Sequence, residues 1–381
     1  MDLIRLGDIA TYINGYAFKP KDWREKGIPI IRIQNLNDPN KEYNYFDGEI
    51  DSKYLVNEGD ILISWSASIG VYEWRGQQGV LNQHIFKVDF NKIKIDKKYF
   101  KYIVSIALNR ALQYMHGSTM KHITKQYFDN ILIPVPLFDQ QIKIANILDQ
   151  AQELIDKRKA QIEALDELIQ SVFYDMFGDP GLNSKGWETG RISDIIVKTQ
   201  YGTSTKANET EGEYAVLRMN NITYSGNWDF KSLKYVDLDE KDRKKYLVYK
   251  GEVLFNRTNS KELVGKTAVY KREEPMAYAG YLVKATPNNR ANGQFIASYM
   301  NTKYTKSLLF NMAKNIVGMA NINAEEFKNI KVYIPPIEIQ NQFAEIVESI
   351  EKQKELLNES LVELENNFNS LVQRAFKGEL F

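Results

Sequence analysis

Residues 120–149 read MKHITKQYFDNILIPVPLFDQQIKIANILD, and residues 319–348, an offset of 199 further on, read MANINAEEFKNIKVYIPPIEIQNQFAEIVE. Nine of these thirty positions are identical: Met120, Ile123, Phe128, Asn130, Ile131, Pro136, Gln141, Ala145 and Ile147 all keep their identity across that offset. Ordinary composition gives about two such matches. The chain therefore reads as one unit built twice, and the search for further repeats starts here.

Working back toward the start, Arg5, Asp8, Ile9, Arg32 and Asn35 recur 186 residues later, and Tyr54-Leu55-Val56, Gly59 and Leu62 recur at an offset of 192. The drift from 186 to 199 places insertions in loops while a framework keeps register. Short β-branched and aromatic runs fill the front of each copy: Ile28 to Ile33, Asp60 to Ser64, Ile85 to Val88, Glu252 to Phe255 and Thr267 to Tyr270. They predict a mixed, mostly β domain with a few helices, such as Tyr99 to Tyr114.

Working forward, Pro134 and Pro136 in one copy and Pro335-Pro336 in the other signal a helix start. One heptad column is Leu148, Ile155, Ile162, Ile169 and Met176, with Ala151, Arg158, Leu165 and Val172 beside it. The matching columns are Val347, Lys354, Leu361, Phe368 and Ala375, with Ile350, Leu357, Leu364 and Leu371. A seven-residue apolar repeat held over four heptads predicts a coiled coil. Two amphipathic helices on separate cores are the plainer reading, and the narrow stripe favours the coiled coil.

The expected fold is α+β: two mixed, mostly β domains, residues 1–137 and 181–336, separated by two long helices, residues 138–180 and 337–381, as a pseudo-twofold internal repeat. Residues 139–177 as one helix span roughly 58 Å, against a domain diameter of roughly 40 Å. A domain of that size links the two helices easily only if they run antiparallel, which predicts a dumbbell.

Composition excludes several classes of function. There are no cysteines, hence no disulfide, thiolate nucleophile or cysteine metal site. Lys and Arg total 50 against 49 Asp and Glu, so any polyanion is held by local patches, not by net charge. Met1-Asp2-Leu3-Ile4-Arg5 is not a secretory signal, and no apolar run approaches the ~18 residues of a membrane helix. A cytoplasmic protein is expected.

Two related domains on a rigid spacer suit duplex DNA, whose half-sites repeat about every 34–36 Å. Arg32-Ile33-Gln34-Asn35 and Arg218-Met219-Asn220-Asn221 occupy matching places, and Gln or Asn can read adenine as Arg reads guanine. Arg32 and Arg218 also fit a framework role, since their register is kept. Further polar or basic stretches are Ser64 to Ser68, Lys121 to Lys125, Arg243 to Lys245 and Asn256 to Lys261. The candidate DNA-contacting residues are Gln34, Asn35, Ser66, Ser68, Lys121, His122, Asn220, Asn221, Arg257, Asn259 and Lys261.

With these features in hand, nearly the whole chain resembles the specificity subunit of type I restriction–modification systems, a target-recognition-domain protein. The resemblance is carried by Arg5-Leu6-Gly7-Asp8-Ile9, by Gly59-Asp60-Ile61-Leu62 and by the proline-led helix starts. Two more specific matches are Met176-Phe177-Gly178-Asp179-Pro180 with Lys185-Gly186-Trp187, and the ending Gln373 to Leu380. The first domain lacks a counterpart of the Lys-Gly-Trp lead-in. The resemblance implies that each domain reads one half of a bipartite, gapped DNA site. It implies helices that set the spacing and dock two modification subunits, which use S-adenosylmethionine to methylate adenine at N6. ATP and Mg2+ would serve a separate motor subunit. This chain would hold no cofactor or metal and no catalytic residue.

Competing signals are weak. Val264-Gly265-Lys266-Thr267 imitates the tail of a phosphate-binding loop, but Ser260 stands where its first glycine belongs and a strand-like run follows. Ile334-Pro335-Pro336-Ile337 lacks the polar and aromatic residues of an amino-methyltransferase motif. A nuclease reading would rest on Asp38, Asp51 and Lys53, a common surface pattern. His84, His116 and His122 do not pair at metal-ligand spacing, and His84 reads as structural. The alternatives are a coiled-coil scaffold with two protein-binding domains and a stand-alone nuclease.

Overall fold

The computed structural model describes residues 2–38, 40–114, 123–316 and 319–380. The chain divides into two compact units, Met1–Lys159 with Glu359–Phe381, and Ala160–Asn358. Each of the two long helices, Phe138–Phe177 and Ile337–Lys377, contributes to both units.

The duplication is a duplication of topology. In the first unit one sheet is ordered Thr11–Asn14, Ile85–Asp89, Ile61–Ser64, Gly70–Glu73. A second is ordered Asn44–Phe46, Ile28–Ile31, Gly79–Leu81, Leu55–Val56. The second unit repeats both orders: Ile196–Tyr201, Leu282–Pro287, Val253–Asn256, Thr267–Val269, and Lys234–Val236, Tyr214–Leu217, Met276–Tyr278, Leu247–Val248. Even the parallel strand pairing recurs, Ile30 beside Val80 and Val216 beside Ala277.

This register shows where the offset slips. Ser64 pairs with Gly70, so residues 65–69 form the turn; Asn256 donates to the Lys266 carbonyl, so the matching turn is residues 257–265, four residues longer. The other large slip lies between the short helix at Asn35 or Asn221 and the strand starting at Asn44 or Lys234.

A short antiparallel ribbon closes each domain, Asp2–Arg5 with Leu132–Val135 and Glu188–Arg191 with Lys331–Ile334. After it, the repeated glutamine fixes the start of the long helix. Gln141 accepts from the Asp96 N–H at 2.9 Å and donates to the Pro136 carbonyl at 2.8 Å. Gln340 accepts from the Asn292 N–H at 2.9 Å and donates to the Pro335 and Arg290 carbonyls at 2.7 and 3.0 Å. Both side chains are buried, so these bonds are made away from competing water.

All eighteen heptad-column positions are buried or half-buried. One of the two charged exceptions, Lys354, pairs with Asp166 inside the second unit. In the first unit Lys159 pairs with Glu365 at 3.1 Å while Leu148 shares a core with Val372 and Ala375, so the helices run antiparallel there. In the second unit Phe173 and Phe177 meet Phe343 edge-on at 5.6 and 5.3 Å, again antiparallel given the Lys354–Asp166 pair. Each helix thus ends in the core of the other copy's domain. Gly178 and Gly378, at φ +80° and +77°, supply the left-handed residue that closes each helix. Trp187 of the Lys-Gly-Trp stretch then donates to the Phe177 carbonyl at 2.9 Å. Among the described residues no helix is long and apolar enough to cross a membrane.

Candidate nucleic-acid interface

The matching tetrapeptides at Arg32 and Arg218 separate into framework and surface. The Asn35 carbonyl accepts the Arg32 N–H at 3.1 Å while its amide donates to Lys41 and Glu42 carbonyls. Asn221 repeats the device, accepting the Arg218 N–H at 2.9 Å and donating to the Asp229 carbonyl at 2.7 Å. With 1% and 3% exposure, both asparagines have spent their amides on holding the chain and have no free edge for a base. The expectation that Asn35 and Asn221 contact DNA is corrected accordingly. Their neighbours Gln34 and Asn220 are exposed, Gln34 donating to the Glu42 carbonyl at 3.1 Å.

The framework arginines are partly engaged as well. Arg32 reaches the Asn44 side chain at 3.0 Å and Arg218 the Ser232 carbonyl at 2.7 Å.

A second region gathers at the turn after Ile61–Ser64 and its counterpart after Val253–Asn256. In the first unit the Trp65 carbonyl accepts the Ile123 N–H at 3.2 Å, and in the second the Arg257 carbonyl accepts the Ile322 N–H at 2.9 Å. Trp65 N–H donates to the His84 carbonyl and Arg257 N–H to the Tyr281 carbonyl, at 3.5 and 3.0 Å. Asn14, paired with Phe86, ends its strand as Tyr201, paired with Val283, ends its own. The same three places therefore carry Asn14, Trp65 and His84 in one unit and Tyr201, Arg257 and Tyr281 in the other.

The outer members of both trios are exposed, and Trp65 and Arg257 are half-buried. Trp65 packs 5.5 Å from the His84 ring, so this histidine belongs to the exposed trio and not to the interior. The Arg257 guanidinium lies 4.9 Å above Tyr201, whose hydroxyl accepts the Ala324 N–H at 3.1 Å. A planar cation held on a ring keeps its fork of donors in one plane, the geometry that bidentate recognition uses. Sequence reasoning singled out Arg257 and the stretch holding Trp65, set His84 aside as structural, and missed Asn14, Tyr201 and Tyr281, which come together only through sheet register.

Around these trios lie the other candidates. Ser66 and Ser68 sit in the short turn, where Ser64 donates to the Ser66 carbonyl at 3.2 Å and Ala67 takes φ +56°. Asn259 accepts from the Ser260 N–H at 2.9 Å within the longer turn. Lys261 places its ammonium 4.5 Å from the Phe310 ring. Lys121 and His122 lie outside the described residues, as does His116.

Lys266, from the imitation phosphate loop, is buried and donates to the Met219 and Ile222 carbonyls. Burial lowers its pKa, and its role is to pin the turn bearing Asn220 beside the turn bearing Arg257. In the first unit the Tyr72 hydroxyl does similar work, donating to Asn37 at 2.8 Å. The acids of the nuclease reading hold turns: Asp51 accepts the Lys53 N–H and pairs with its ammonium, and Asp38 accepts the Asn40 N–H.

The sequence profile described as the type I restriction modification DNA specificity domain matches residues 1–164 and again residues 184–366. The chain is 24% identical to the type I restriction enzyme EcoKI specificity subunit of Escherichia coli (strain K12), over 98% of this chain and 87% of that one. It is 23% identical to the EcoBI specificity subunit of Escherichia coli, over 99% and 85% of the two chains. Its fold matches a chain solved in work on complex assembly and conformational transition of the type I R-M system, with a TM-score of 0.62, 15% identity and coverage of 100% and 98%. The chain belongs to the type I restriction modification DNA specificity domain family, with one copy of the domain in each half.

Proposed function

We propose that this chain is the DNA-reading subunit of a type I restriction–modification complex, with each unit reading one half of a bipartite, gapped target. The observation that carries this reading is the pair of matched trios. Identical backbone bonds hold Asn14, Trp65 and His84 in one unit and Tyr201, Arg257 and Tyr281 in the other, so the scaffold is constant and the presented chemistry differs. That is what two half-sites of different sequence require, since base-edge contacts carry sequence and backbone contacts carry placement.

The long helices set the spacing and dock two methyltransferase subunits. Exposed apolar side chains on the second long helix support the docking role, Leu356 and Val362 being 66% and 57% exposed. S-adenosylmethionine belongs to those partner subunits, and ATP and Mg2+ to a motor subunit. The chain places the complex and does no chemistry itself.

Methylome sequencing of cells carrying this chain with its cognate modification subunit tests the reading. Adenine methylation at a gapped motif is expected, and exchanging residues 1–137 for another member's domain should change one half only. Methylation that ignores the exchange would sink the reading in favour of a protein-binding scaffold. Mg2+-dependent cutting by the lone chain would favour a nuclease.

A further inference from the structure

The second unit contains a cavity of about 500 Å³ whose wall includes Lys261, Lys266, Lys303 and Lys306, with Tyr224 and Phe310 as its aromatic members. Lys266 is already committed to two carbonyls. The other three have no carboxylate within ion-pair distance among the described residues. The one acid on the wall, Glu262, is exposed and makes no ion pair with the wall lysines among the described residues.

The cavity gathers positive charge in an unfavourable way. Lys303 and Lys306 open the helix Lys303–Met312, where positive side chains oppose the helix dipole. Lys306 is half-buried, with its amine 3.5 Å from the Tyr224 ring centroid and bonded to the Tyr224 carbonyl. Burial without a counter-charge lowers its pKa to about 8. A bound anion would relieve all of these strains together.

Part of the wall is also particular to this unit. Lys261, Glu262, Val264 and Gly265 lie in the turn that is four residues longer than residues 65–69, and Gly70 stands in the first unit where Lys266 stands here.

We propose that this pocket seats a phosphate of the DNA backbone beside the second half-site, with Lys261, Lys303 and Lys306 as its ligands. The proposal rests on the DNA-reading function above. Lys261 belongs both to this pocket and to the turn that carries Arg257, so the phosphate contact and the base-reading surface share one hairpin. The contact is blind to sequence and gives the second unit a salt-dependent hold on the duplex.

The test uses the complex with modification subunits and duplexes carrying its own methylated motif. Each phosphate neutralised contributes about 0.9 to the slope of log affinity against log salt. Replacing Lys261, Lys303 and Lys306 together by Ala should flatten that slope by about 0.9. The same motif should still be methylated. Arg at all three positions should restore the slope, which separates lost charge from a misfolded pocket, and Lys250→Ala, at an exposed ion pair with Glu273, should leave it unchanged.

Acylation of Lys306 should be blocked by the duplex and not by inorganic phosphate or ATP at the same phosphate concentration. An unchanged slope in the folded triple-Ala variant overturns the proposal, as does protection by ATP and not by DNA. If the wild-type complex does not prefer a gapped motif at all, the failure is that of the DNA-reading function and not of the pocket alone.

Discussion

Replacing Gln340 by Leu keeps most of the side-chain volume and removes the three bonds by which this side chain ties the start of the second helix to its domain. Gln340 is fully buried, accepting from the Asn292 N–H and donating to the Pro335 and Arg290 carbonyls at 2.9, 2.7 and 3.0 Å. The substitution leaves one half-buried donor and two carbonyls without this partner. An orphaned buried polar group costs about 1–3 kcal/mol. The carbonyls keep a second lone pair for other bonds and fall at the low end, which puts the total at about 3–5 kcal/mol. That is a large part of the ~5–15 kcal/mol that holds a domain folded. Urea unfolding followed by circular dichroism should show the second unit's transition moving down by about 2 M, for a slope near 2 kcal/mol/M. Gln141→Leu should act alike on the first unit. A loss below about 1 kcal/mol in both would refute the claim that these glutamines fix the helix starts.

Other outcomes follow from the same geometry. Asn35→Ala and Asn221→Ala should each cost about 1–2 kcal/mol, measured by thermal melting, while the methylated motif stays the same; a changed motif would return them to the reading surface. Lys306 titrates near 8 in the fold against 10.5 when unperturbed. Between those values the unfolded chain binds more protons than the folded one, so this group makes stability rise with pH across that window. Lys306→Met should remove that component from melting temperatures taken between pH 7 and 10, and identical pH profiles would contradict the burial of its charge.

Much of this architecture was legible because the repeated residues are those with the least freedom. Gln141, Ile123 and Phe128 recur because each is committed to a buried contact or to a framework hydrogen bond: Gln141 fixes the helix start, Phe128 is fully buried, and Ile123 joins the strand-end turn. The heptads were legible because an apolar period of 3.5 residues keeps one helix face turned toward a partner helix along its whole length. Asn35 and Asn221 misled for a physical reason: a polar run containing asparagine looks the same whether its amide faces solvent or ties down its own turn. The kept register of these positions was the available signal, and it pointed to framework. The trios were not legible as groups, although Arg257 was a candidate and Trp65 lay in a polar stretch already singled out. Tyr201, Arg257 and Tyr281 lie far apart in sequence and meet because Tyr201 pairs with Val283 and Asn256 with Leu282. Nothing in the spacing of those residues encodes that register.

If two matched surfaces read two different half-sites, a substitution in either surface should alter its own half alone. Adenine methylomes would be compared for the wild-type chain, for Trp65→Ala and for Arg257→Ala, each with the cognate modification subunit. Trp65→Ala should relax or weaken only one half of the gapped motif, and Arg257→Ala only the other. Changes falling on the same half in both variants, or motifs identical to wild type in both, would contradict that reading.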